Sequence, residues 1–135
     1  MEKDNIVTEE SELKKNSIRI IKGSIFAIII STIFLLIFAL LLCYTTLSED
    51  TMKPVILIIT GISILVGSMI STRKIRKNGL INGGTVGLIY IIILYLTSSL
   101  FLAGFSLTVN SFIMIIVSII MGMIGGIVGV NLNRK

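Results

Sequence analysis

The strongest constraint on this chain is where its charge is missing: four long apolar spans carry none inside them. One charge-free stretch runs from Gly23 to Ser48, another from Pro54 to Thr72, and a third from Asn78 to Asn133 without interruption. At about 1.5 Å per residue, some 20 residues of helix cross a hydrocarbon core of roughly 30 Å. Backbone in lipid has no water to bond, so each crossing must satisfy its own N–H and C=O groups, which an α-helix does. The last stretch would extend about 84 Å as one helix, far more than one crossing needs. It must fold back, and the turn is expected around Gly104 to Asn110, where Gly104, Ser106, Thr108 and Asn110 dilute the apolar run. The expected fold is an all-α membrane protein with four transmembrane helices in two hairpins, at approximately 20–47, 54–72, 79–103 and 111–132.

Composition supports the same class. Only 14% of the residues are charged, where a soluble domain has about a quarter, so there is too little charge to cover a water-facing surface. Pro54 suits the first turn of the second helix, where its missing N–H costs nothing. Residues 1–19 read as a polar, solvated and partly ordered N-terminal tail, with five acids in its first twelve residues, and residues 20–135 as the transmembrane domain. The first span is too long for a typical signal-peptide core and lacks a small-x-small cleavage site, so it reads as an uncleaved anchor. Leu42 is bulky where a lipoprotein signal needs a small residue before its cysteine, and Cys43, the only cysteine, reads as a structural thiol.

Loop charges predict the orientation. Eleven of the twelve Lys and Arg residues fall on one side: Lys3, Lys14, Lys15, Arg19 and Lys22, then Arg73, Lys74, Arg76 and Lys77, then Arg134 and Lys135; Lys53 alone is opposite. By the positive-inside rule both termini and the middle loop are cytoplasmic, in the cell membrane, with Arg73, Lys74, Arg76 and Lys77 as topology determinants. The net charge of +5 is this basic fringe; it implies contact with lipid headgroups and no nucleic acid.

Small residues recur at four-residue spacing, which puts them on one face of each helix: Gly23, Ala27 and Ser31; Ser63, Gly67 and Ser71; Gly79, Gly83 and Gly87; and Ser118, Gly122 and Gly126, with Gly125 and Gly129 beside them. Such faces let membrane helices approach closely. In the expected topology all four lie in the cytoplasmic half, while Phe34, Phe38, Tyr44, Tyr95, Phe101 and Phe105 lie toward the outer half. A bundle tight on its cytoplasmic side and splayed outward follows. Gly83-Gly84-x-x-Gly87 lacks both the dinucleotide fingerprint and the Gly-Lys-Ser/Thr of a phosphate loop, and so reads as packing. A weak internal repeat superposes Gly61 on Gly122 and Ser68 on Gly129, a pattern that glycine richness alone also produces. Asn82 and Asn131 lie near the cytoplasmic ends of the third and fourth helices. Without histidine or a membrane carboxylate, a proton relay has no members, and no metal or cofactor is expected.

Two glycine runs are more distinctive together than apart: Lys77-Asn78-Gly79-Leu80-Ile81-Asn82-Gly83-Gly84-Thr85-Val86-Gly87-Leu88-Ile89-Tyr90, which follows Arg73-Lys74, and the closing Gly125-Gly126-Ile127-Val128-Gly129-Val130-Asn131-Leu132. With Lys22-Gly23, they resemble a family of small four-span membrane proteins from clostridia and bacilli, classed as a domain of unknown function. The resemblance covers Ile20 to the C-terminus; it implies the four-span fold and supplies no activity. The leading expectation is a non-enzymatic accessory or structural subunit that packs with a second copy or within a larger membrane complex. The alternative is a small oligomeric transporter or channel for a neutral or small solute. Small multidrug exporters use a membrane carboxylate absent here, and fluoride channels commonly pair antiparallel, against this charge asymmetry.

Overall fold

A computed structural model describes residues 1–101 and 108–134. It contains four helices in chain order: α1, Glu2–Tyr44; α2, Glu49–Thr72; α3, Gly79–Phe101; and α4, Val109–Leu132. Each is long and apolar enough to cross a membrane. Most of the turn expected between Gly104 and Asn110, the expected end of the third helix near residue 103, and Phe105 lie outside the described residues.

α1 is longer than the sequence reading expects. Its 43 residues run unbroken from Glu2, about 65 Å of helix, or twice the thickness of a hydrocarbon core. The residues before Gly23 include no Pro or Gly and many strong helix formers, among them Glu9, Glu10, Glu12, Leu13, Lys14 and Lys15. Glu2 and Asp4 sit in the first turn, where acids favour the helix dipole. The Lys15 ammonium lies 3.7 Å from the Glu12 carboxylate one turn back. The segment read as a solvated tail is thus wound onto the same helix as the first span.

α2 also starts early, with Ser48 as N-cap and Glu49 and Asp50 in its first turn. Pro54 therefore falls in the second turn, not the first, because residues 49–53 are already helical. Its missing N–H leaves the Asp50 carbonyl without its helical donor, at a position where both residues are exposed.

α2 and α3 form the hub: α2 packs against α1, α3 and α4, and α3 also packs against α1 and α4, while among the described residues α1 and α4 do not meet. At the bend between α2 and α3, Ile75 tucks inward and is buried, with its N–H donating to the Thr72 carbonyl at 2.9 Å. Asn78 takes a left-handed conformation (φ 59°), which asparagine tolerates, and delivers the chain to α3.

The core is small-grained. Ala27, Ile64 and Tyr90 form its apolar centre, with Ile28, Leu94 and Met121 against them, so that all four helices contribute. Most other buried positions are Gly, Ser or Thr. Ser24, Ser63 and Thr72 satisfy their hydroxyls on carbonyls of their own helices, at 2.9, 2.8 and 2.8 Å, the standard solution where water is absent.

The continuity of α1 is testable. With Cys43→Ser as background, spin labels at Lys3→Cys and Ser17→Cys should give one narrow distance distribution, for a backbone separation of about 21 Å. A broad distribution centred well below that would show an unwound segment.

Candidate functional site: a backbone-packed half-bundle

The buried residues gather at one end of the bundle. In α1 they are Ile20, Gly23, Ser24, Ala27 and Ser31; in α2 they begin at Thr60, in α3 they end at Ile91, and in α4 they begin at Ser118. This end carries the α2–α3 loop and, on α1, Arg19, whose Nη1 donates to the Lys74 carbonyl at 2.9 Å. Ser71 Oγ donates to the Arg19 carbonyl at 2.9 Å and closes the same corner. Toward the far end Phe34, Ile37, Leu41, Leu96, Leu100 and Phe112 are exposed, as expected where side chains face lipid.

Glycine sets how close the helices come. Between α1 and α2, a Cβ added at Gly67 would lie 2.5 Å from the Ala27 Cβ and 2.8 Å from the Gly23 carbonyl oxygen. One added at Gly23 would overlap the Ser71 Cβ. Between α3 and α4, a Cβ at Gly79 would fall 2.6 Å from the Gly126 oxygen, and one at Gly83 2.6 Å from the Gly126 Cα. At Gly87 it would overlap the Ser118 carbonyl, and at Gly122 the Gly83 carbonyl. Between α2 and α4, Gly125 faces the Leu65 backbone, and a Cβ on Gly129 would stand 2.5 Å from the Met69 oxygen. Ser63 is buried on α2 and bonds to Ile59 of its own helix. Gly61 and Gly84 are looser, since a Cβ on either would meet the methionine side chains of Met121 or Met123 at 3.2 and 3.1 Å. Gly23 and Gly83 thus occupy comparable places, each against two small residues one turn apart on the next helix.

Two polar features were not singled out in the sequence. Ser68 Oγ donates to the Gly122 carbonyl at 2.6 Å, a buried hydrogen bond from α2 to α4. The signal available was the density of hydroxyls on α2, where Thr60, Ser63, Ser68, Ser71 and Thr72 are all buried. Tyr90 is fully buried, and its hydroxyl finds no hydrogen-bond partner among the described residues. Asn82, by contrast, reaches the Lys77 carbonyl at 3.4 Å and caps the loop.

The basic residues Arg73, Lys74, Arg76 and Lys77 are exposed on the α2–α3 loop. A cleft of about 1130 Å³ lies between this loop and the projecting part of α1, with Glu9 and Glu12 on one wall and Lys74, Arg76 and Lys77 on the other. A largely apolar groove of about 380 Å³ runs between α1 and α3 toward the far end, lined by Ile28, Leu35, Ile93 and Leu94, with Ser31, Thr32, Thr97 and Ser98 among them. Three of its hydroxyls, on Ser31, Thr32 and Thr97, already donate to carbonyls of their own helices. Cys43 is exposed. Among the described residues, no three His, Cys, Asp or Glu side chains come together as a metal-holding group.

These features define a small multi-pass membrane protein packed backbone to backbone at one end. Residues 16–129 match the family described as "Protein of unknown function (DUF3792)", and the chain belongs to that family. No curated protein and no solved structure matches it.

Substitutions should separate the tight contacts from the loose ones. Gly83→Leu or Gly126→Leu should lower thermal stability in detergent strongly. Gly83→Ala should cost about 1–3 kcal/mol by overpacking, and Gly61→Ala much less, because Met121 can move. Equal midpoints for Gly61→Ala and Gly83→Ala would show that the backbone contact is absent. Tyr90→Phe should hold or raise stability, by about 1 kcal/mol, since it removes an unpaired buried hydroxyl. A fall in the midpoint would instead assign that hydroxyl a partner in the membrane.

Proposed function

We propose that this protein is a non-catalytic accessory or structural subunit of the cytoplasmic membrane, with both termini cytoplasmic. The observation that carries the reading is the state of α1. Only 11% of its most apolar window is buried within the fold, so a long apolar face is left for lipid or for helices of another protein. The same helix continues beyond the span as a charged rod. A membrane span that packs little inside its own fold and projects a polar extension suits assembly with a partner, either a second copy or a larger membrane complex.

Gentle extraction of the tagged protein from its native membrane, followed by native mass measurement, tests this. A stoichiometric foreign partner is the expected result. A discrete homo-oligomer without one would favour the second reading, a small transporter or channel for a neutral or small solute, which the groove between α1 and α3, apolar with a few serines and threonines in its wall, supports. Solute flux in reconstituted vesicles would then decide it.

The orientation rests on loop charge. Changing Arg73, Lys74, Arg76 and Lys77 together to glutamine should raise the fraction of chains whose C-terminal reporter appears outside. An unchanged reporter ratio would assign orientation to the N-terminal cations or to other signals.

A further inference from the structure

A second groove, of about 440 Å³, opens between α1 and α2 at the basic end. Its upper rim consists of Lys15, Arg19, Lys22 and Lys74, and its lower wall includes Phe26 and Ile70. Among the described residues no carboxylate lines it. In this it differs from the larger cleft on the loop, where Glu9 and Glu12 oppose the cations.

The cations are differently engaged. Lys15 is paired with Glu12. Arg19 is held by its bonds to the Lys74 carbonyl and, at 3.5 Å, to Asn16 Oδ1, so its guanidinium is already oriented. Lys22 and Lys74 have no ion pair among the described residues. Gly23 and Ser71 close the floor by packing against each other, with the Ser71 hydroxyl turned to the Arg19 carbonyl.

Height in the membrane matters as much as charge. Lys22 is the last charge before the apolar span of α1, and Arg73 and Lys74 are the first after α2. The rim therefore sits where the span meets its polar flank, and Phe26 and Ile70, both exposed, lie one turn deeper. Anionic charge above and apolar surface below is the chemistry of a phospholipid with an anionic headgroup. Basic pockets between membrane helices take such headgroups.

We propose that the α1–α2 groove is a binding site for one anionic phospholipid. Arg19, Lys22 and Lys74 hold the phosphate-bearing headgroup, and an acyl chain lies along Phe26 and Ile70. A free phosphate would meet the same cations but would leave the apolar wall uncovered.

Native mass spectrometry of the full chain in detergent, with phosphatidylglycerol or phosphatidylcholine added, reads the site. One retained phosphatidylglycerol per protein is expected, with phosphatidylcholine lost at the same collision energy. Lys22→Gln with Lys74→Gln should weaken retention on the order of tenfold. Arg76→Gln with Lys77→Gln removes the same charge outside the groove and should leave retention unchanged. Equal loss in both double variants would reduce the effect to general surface charge and overturn the site. So would equal retention of the two lipids. Displacement of the lipid by inorganic phosphate at matched concentration would show that the apolar wall contributes nothing, and displacement by a soluble acidic peptide would assign the groove to a protein partner; either overturns the proposal. Each variant's lipid-free melting midpoint is measured alongside, so that misfolding is not mistaken for lost binding.

Discussion

Everything else in this bundle depends on helix backbones touching one another directly. In lipid, burying an apolar side chain gains little, because hydrocarbon surrounds it either way; helices associate through close packing and interhelical hydrogen bonds. Glycine permits both here. Where Gly83 meets Gly122 and Gly126, no side chain stands between the two backbones, so dispersion acts over a continuous surface. Because Gly83 has no side chain, the Ser68 hydroxyl of α2 also has room to reach the Gly122 carbonyl of α4. A bulkier residue at Gly122 would therefore disturb a hydrogen bond as well as a packing contact.

This dependence makes the molecule asymmetric along its length. The half that carries the basic loop has a buried interior of glycines, hydroxyls and a few larger residues around Tyr90. The other half presents Phe34, Leu41, Leu100 and Phe112 outward. α2 and α3 bridge the arrangement, since each packs against all three other helices. The buried serines and threonines of α2 are small enough for that position, and the hydroxyls of Ser63, Ser68, Ser71 and Thr72 bond to carbonyls of their own or neighbouring helices.

The four helices were legible in the sequence because charge is excluded from lipid and the apolar runs have the length of a crossing. Spacing also indicates faces: Gly79, Gly83 and Gly87 lie four residues apart, and these are the α3 glycines that meet the α4 backbone. What spacing could not supply was partnership. Nothing local distinguishes Ser68, which bonds across to α4, from Ser63, which bonds within its own helix. Tyr90 was equally opaque, since burial of an aromatic ring depends on which helices converge on it. The extent of α1 was underestimated for a different reason. Mixed charge suggests a solvated tail, yet Glu and Lys are good helix formers, and a segment joined to a stable membrane helix needs no nucleation of its own. The same holds at α2, where five residues wound ahead of Pro54 and moved it out of the first turn.

The unbroken backbone of α1 has a mechanical consequence. No proline or glycine lies between its tip and Lys22 to act as a hinge, so the projecting part and the membrane part form one lever. The twenty-one helical residues from Glu2 to Lys22 reach about 30 Å, and a span that tilts by about 10° would sweep the far tip through about 5 Å. Changes in bilayer thickness that re-tilt the span would thus displace the tip well outside the bilayer.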